Sequence, residues 1–225
     1  MLFGKIDYIN LLPLHIYLKK YPLPNGIKRA MEYKKGVPSK LNKDLFYKRI
    51  DAGVISSIQS AKKKYKYLDI GICANKRVMS VLVKKNTQNL QDPSSASSNA
   101  LAKILKVQGQ VVIGDKALKY YIENEKAYID LCSVWFEKTG LPFVFGRFSC
   151  IKHKIFYERI FKNYQHSQKT KLKIPYYILE KYAKTRQISV KNIKFYLQNI
   201  IYHKISFKEK RALKLFFKMY KFTNF

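Results

Sequence analysis

The sequence predicts an α/β chain of two lobes joined by two crossover strands and followed by a helical C-terminus. Three observations carry this. Short apolar runs of strand length alternate with helical periodicity over the first 60 residues. Two further apolar runs, 78–84 and 143–148, bracket a stretch whose charge is nearly balanced. After residue 150 only helical periodicity remains. The first lobe is therefore expected to be discontinuous, residues 1–84 plus C-terminal helices over about 168–225, and the second to span about 85–142. Strands 78–84 and 143–148 would carry the chain out and back, as a hinged clamp requires.

Phe3–Tyr8 reads as a strand, and Leu11–Lys20 as a helix with lysines at its end, where the negative end of the macrodipole favours them. Lys28–Tyr33 reads as a second strand, and Ser39 as the cap of a helix through Leu41, Leu45 and Phe46. Asp51–Ser56 is short, apolar and bounded by polar residues, as a buried parallel strand should be, and Ser57 opens another helix. Val78–Val83 is a strand, and Lys85–Asn99 has the Asn, Gln, Ser and Pro content of a loop. Helix Ser98–Lys106, strand Val111–Gly114, and helices Asp115–Glu123 and Asp130–Lys138 follow, with Trp135 and nearby Phe residues as the second lobe's core. Gly140-Leu141-Pro142 breaks the chain before strand Phe143–Phe148. Helices at roughly 153–165, 175–185, 190–202 and 206–221 complete it, the last opened by the capping box Ser206-x-x-Glu209.

Lys and Arg number 45 against 14 Asp and Glu, a formal net charge of +31. Such an excess raises the question of nucleic acid. It is not concentrated, however: residues 1–84 carry 18 basic and 5 acidic side chains, 85–145 carry 7 and 6, and 146–225 carry 20 and 3. Lysines scattered through apolar, tyrosine-rich segments describe a basic surface that attracts anions, and no nucleic-acid partner is expected. Cys73, Cys132 and Cys150 form no CxxC pair, have no histidine at metal-ligand spacing, and read as buried small hydrophobes in a reducing compartment. Lys5, Asp7, Asn10 and Pro13 interrupt any signal-peptide core, and no run is long enough for a membrane span, so a cytoplasmic protein is expected.

The residues that follow the predicted strands are small and hydroxylic or amidic: Asn10, then Ser39, then Ser56 and Ser57. Ser80 lies on the outgoing crossover, and Ser97 and Ser98 lead into the next helix. Each helix start leaves about four amides unpaired, so such groups suit a carboxylate or a phosphate; plain capping is the simpler account of any one of them, and only their joint occurrence at several strand ends points to a ligand. Asp115 is either an N-cap or a carboxylate facing the cleft. His15, His153, His166 and His203 fall on predicted helices with no triad-like pattern, which points to surface or satisfied positions. No GxGxxG or GxxxxGK[ST] occurs, against dinucleotide and P-loop chemistry.

Taken together, Gly4-Lys5-Ile6-Asp7-Tyr8-Ile9-Asn10-Leu11-Leu12-Pro13, Gly36-Val37-Pro38-Ser39-Lys40-Leu41-Asn42 and Asp51-Ala52-Gly53-Val54-Ile55-Ser56-Ser57-Ile58 resemble the N-terminal motifs of the chorismate dehydratases. Ser97-Ser98-Asn99-Ala100-Leu101, Ile113-Gly114-Asp115-Lys116-Ala117-Leu118 and Thr139-Gly140-Leu141-Pro142-Phe143-Val144-Phe145 continue the likeness in order, over nearly the whole chain. The resemblance implies a periplasmic-binding-protein-like fold of type II used as a cytoplasmic enzyme. It implies dehydration of chorismate to 3-[(1-carboxyvinyl)oxy]benzoate at the head of the futalosine route to menaquinone, without cofactor or metal. Carried over by position, Asn10 would act near the reacting centre. Ser80, Ser97 and Ser98 would hold a carboxylate, and Ser56 and Ser57 would complete the first-lobe wall; Ser39 and Asp115 are further substrate-binding candidates from their positions in the sequence. The family commonly has threonine where Ser97 stands and alanine where Gly146 stands. The Cys-Pro-Asn-Asp opening of the sister dihydroxynaphthoate synthase is absent.

Overall fold

The computed structural model describes residues 2–169 and 173–222, without the side chains of Met31 and of residues 165–169. The chain opens with β1 (Phe3–Ile6), a 3-10 turn (Ile9–Leu11) and α1 (Leu12–Lys20). Next come α2 (Asn25–Tyr33), β2 (Lys35–Gly36), α3 (Pro38–Phe46), β3 (Ala52–Ser56) and α4 (Ser57–Ser60). β4 (Lys66–Ala74) precedes β5 (Val81–Lys84), α5 (Ala96–Leu105), β6 (Gln110–Ile113) and α6 (Gly114–Glu123). After β7 (Tyr128–Asp130) and α7 (Leu131–Thr139), β8 (Phe143–Cys150) leads to α8 (Lys154–Lys169), α9 (Tyr176–Arg186), α10 (Val190–Asn199), β9 (Ile201–Lys204) and α11 (Phe207–Phe222).

The strands form two sheets. A six-stranded sheet has the order β2-β1-β3-β8-β4-β9, and a three-stranded antiparallel sheet the order β6-β5-β7. β1 runs parallel to both β2 and β3, while β8 runs antiparallel to β3 and β4. β3 and β8 are buried along their whole length, and both read as apolar or small-residue runs, interrupted in β8 by the buried Arg147. The carboxyl ends of β1 and β3 lie side by side, and helix starts gather there.

Several expectations are corrected. Lys28–Tyr33 is the second half of a helix, not a strand: the chain leaves Pro24 and turns helical at once, and the strand that follows is the two-residue β2. Pro38 stands at the start of α3 with Val37 as its N-cap, so Ser39 lies inside the first turn and caps nothing. Residues 78–80 are not strand; β5 starts at Val81 and belongs to the small sheet, whereas β8 lies wholly in the large one. The chain thus passes between the sheets through connections 75–80 and 140–142 rather than along shared strands. Helix 190–202 stops at Asn199, and its expected end is the edge strand β9.

Trp135 is fully buried, but not in a core confined to its own sheet. It packs edge-on to Phe143 of β8 and Phe216 of α11, at 5.2 and 6.2 Å, and its indole donates to the Pro142 carbonyl at 3.1 Å. The expected capping box is present, with the Ser206 amide donating to Glu209 Oε2 at 2.8 Å. All three cysteines are buried and unbridged. Among the described residues no helix is long and apolar enough to cross a membrane, and no cluster of metal ligands occurs.

Candidate active site

A cavity of about 50 Å³ opens where the carboxyl ends of β1 and β3 face the residues before β5 and the starts of α5 and α6. Tyr8, Asn10, Ser56, Ser80, Ser95, Ser98 and Gly114 supply its polar and backbone surface, and none of the residues lining it is charged. A second cavity, bounded by Tyr67, Lys154, Glu158, Lys162 and Lys210, is an open groove at the surface. Four of the charged side chains around it form the pairs Lys154–Glu158 and Lys210–Asp69.

Asn10 sits in the 3-10 turn, buried, with its side-chain carbonyl Oδ1 unpartnered. Its backbone carbonyl is held by His203 Nε2 at 2.7 Å, and His203 Nδ1 meets the Tyr164 hydroxyl at 2.9 Å. Burial pushes His203 down to about 4, so the ring that anchors Asn10 is neutral at ordinary pH. Ser80 stands opposite, its Oγ 2.7 Å from the Tyr196 hydroxyl and its carbonyl accepting from the Gly114 amide at 2.9 Å. Met79, just before it, has φ 59°, a left-handed conformation unfavourable to a residue with a side chain. Asp130 sustains it: one carboxylate oxygen accepts from the Val78 and Met79 amides at 2.9 and 2.7 Å, and the other caps α7 at the Cys132 and Ser133 amides. Strain held by a buried carboxylate beside a cavity is a device for fixing one side chain, here Ser80.

The remaining expected residues divide. Ser56 lines the cavity, with Asn42 bracketing its amide and hydroxyl at 3.1 and 3.3 Å. Ser98 lines it too, bonded to Ser95, the true N-cap of α5. Ser57 does not: its hydroxyl donates to the Val144 carbonyl at 2.6 Å and ties α4 to β8. Ser97 accepts from the Ile58 amide at 3.2 Å and so caps α4 from the neighbouring helix. Ser39 is half-buried outside the lining.

Asp115 neither caps α6, whose N-cap is Ile113, nor faces the cavity. Its Oδ1 accepts from the Ile9 amide at 2.9 Å and its Oδ2 from Arg186 Nε at 3.2 Å, so it anchors the turn that carries Asn10. Arg186 also reaches the Asp7 carbonyl and carboxylate at 3.0 and 3.2 Å, and the Tyr182 hydroxyl donates to Asp7 at 2.6 Å. Burial pushes Asp115 up to about 6 against the pull of the Ile9 amide and Arg186. Burial would raise Asp7 as well, but the Tyr182 hydroxyl, Lys5 and Arg186 outweigh it and hold that carboxyl at about 2.

Sequence reasoning missed Tyr8, Tyr196 and Arg186. Tyr8 follows β1 and lies against Gly114, where φ is +73° and an added Cβ would stand 2.8 Å from the ring. Tyr196 and Arg186 come from the C-terminal helices, too distant along the chain for any local pattern to reveal. Of the histidines, His203 is on a strand and bonded. His15 is buried with both ring nitrogens unpartnered, neither surface nor satisfied, and burial, foremost, pushes it down to about 3. His153 is exposed just before α8, and the His166 side chain is outside the described residues.

The sequence matches the profile of a family described by menaquinone biosynthesis, over residues 1–108 and 105–221. The chain belongs to the menaquinone biosynthesis family. A curated relative, the chorismate dehydratase of Campylobacter jejuni, is 69% identical over 224 residues, covering 100% of this chain and 99% of that one. Among solved structures, a protein from Archaeoglobus fulgidus superposes with a TM-score of 0.76 at 15% identity, over 99% of this chain and 97% of its own. A Candida albicans gene product described as having the generic periplasmic binding protein fold superposes with a TM-score of 0.52 at 11% identity, covering 98% and 93%. These distant likenesses establish the fold, and it is the expected one. In this family member the cavity lies between the two sheets, at the carboxyl ends of β1 and β3.

Proposed function

We propose that the chain is a lyase that removes water from chorismate to give 3-[(1-carboxyvinyl)oxy]benzoate, as the first step of the futalosine route to menaquinone in the cytoplasm. The observation that supports this best is the full-length 69% identity to a protein named chorismate dehydratase. The cavity suits the reading: its donors are uncharged hydroxyls and an amide, fit to orient a dianion without ion pairing it.

In the reaction, the ring C–H at the ether-bearing carbon breaks and its proton passes to the substrate's own side-chain carboxylate. The electron pair forms the new ring double bond as the C–O bond to the neighbouring hydroxyl breaks, and that oxygen takes up a proton, in net the one removed from the ring, and leaves as water. Aromatisation supplies the driving force, so the protein's task is orientation and stabilisation of the departing oxygen's charge. Asn10 and Ser80 are assigned to the reacting end, Ser56 and Ser98 to the carboxylates. The two lobes, divided at connections 75–80 and 140–142 rather than at residue 84, close on the substrate through those connections. Incubating purified protein with chorismate and separating the products by chromatography tests the reading. Carboxyvinyloxybenzoate appearing in proportion to enzyme is expected, and chorismate bound but unchanged would make the chain a binding protein instead.

A further inference from the structure

Tyr196 is 1% exposed and lies outside the cavity lining, yet its hydroxyl is 2.7 Å from Ser80 Oγ, which lines the cavity. Either oxygen of that pair could be the donor, and the choice decides what Ser80 offers the ligand. If Ser80 donates to Tyr196, it presents only lone pairs to the cavity, which repel a carboxylate. If Tyr196 donates, the Ser80 proton is free to point at an anionic oxygen. A phenol, with an ordinary pKa near 10, is a far better donor than an aliphatic hydroxyl, and burial keeps this one protonated.

We propose that Tyr196 is a positioning residue for the reaction: buried behind Ser80, it fixes Ser80 as a hydrogen-bond donor toward the substrate. The inference rests on the chorismate reading. It explains why a fully buried tyrosine on α10, in the C-terminal helical part, ends in a polar contact with the connection that precedes β5.

The test is a double-mutant cycle on the full-length protein with chorismate as substrate, comparing wild type, Tyr196→Phe, Ser80→Ala and the double variant. Tyr196→Phe is expected to lower kcat about 10- to 100-fold, the worth of one hydrogen bond to a charged group, with a smaller change in KM. In the Ser80→Ala background the same change is expected to lower kcat less than about 2-fold, since residues acting as a unit are non-additive. Equal falls in both backgrounds, or an unchanged kcat in Tyr196→Phe, would overturn the inference while leaving the functional reading intact. A wild type that leaves chorismate unchanged would overturn both. Should Tyr196→Phe fail to fold, Tyr196→Met removes the same hydroxyl and completes the cycle.

Discussion

Two polar clusters meet the short segment Asp7–Asn10, one from the cavity side and one from the margin, and they are built on opposite terms. On the cavity side stand Asn10, Ser80, Ser56 and Ser98, uncharged, partly free of partners, and held in place by buried groups behind them. On the margin stand Asp7, Asp115, Arg186 and Tyr182, whose carboxylates and guanidinium are engaged with one another or with backbone amides. The contrast separates recognition from construction: charge is spent on holding the turn, while groups with unspent hydrogen-bonding capacity face the ligand. The basic excess lies outside both clusters and would act on a dianion only at long range, screened by salt.

The largest effect is expected at the uncharged cluster. Asn10→Ala should lower kcat about 10²- to 10³-fold, as loss of one preorganised polar group does, with little change in the thermal midpoint because Oδ1 has no partner to lose. A parallel loss of stability, read by circular dichroism, would place Asn10 in the structural class instead. Next comes the point where the two regions touch. Gly114→Ala forces a side chain into φ +73° and onto the Tyr8 ring, so a destabilisation of about 1–3 kcal/mol by urea titration is expected, together with raised KM. An unchanged midpoint would mean that Tyr8 moves aside freely.

Ser57→Ala sharpens the division among adjacent serines. It removes the buried hydrogen bond from Ser57 to the Val144 carbonyl and should cost about 1 kcal/mol of stability, with kcat nearly intact, whereas Ser56→Ala should raise KM and spare stability. Reversal of that pattern would exchange their roles. The smallest effect is a change of slope. Asp115, raised to about 6, favours the folded state fully below its ordinary 3.8, and that contribution is lost as pH rises through 6. Asp7, lowered to about 2, contributes above 3.8 and loses its contribution as pH falls through 2. Asp115→Asn should therefore abolish the decline in unfolding free energy between pH 4 and 6 and preserve the one below pH 4; profiles parallel to wild type would remove Asp115 from the account.

The parallel core of the large sheet was legible because Gly53-Val54-Ile55 is unmistakably buried and because the helix starts beside it are polar. β4 was not, since Lys66, Tyr67 and Asp69 give its first half the look of a surface loop, and no turn residue marks where it begins. β9 follows α10 with no glycine or proline between them, so its strand character is imposed by the edge of β4 rather than by local preference. In the site, residues adjacent to strand ends were found and half of them line the cavity. Ser57, Ser97 and Asp115 share the same composition and position along the chain, and only the three-dimensional distribution of unpaired amides separates a cap from a ligand contact.

The position of Trp135 has an optical consequence. It is the single tryptophan among 18 tyrosines, and its ring spans α7, β8 and α11 where the small sheet's helix meets the C-terminal one. Selective excitation of the indole therefore interrogates that joint alone. Any rotation of α7 against α11 as a ligand enters would alter the emission and its access to a soluble quencher, without any label being attached.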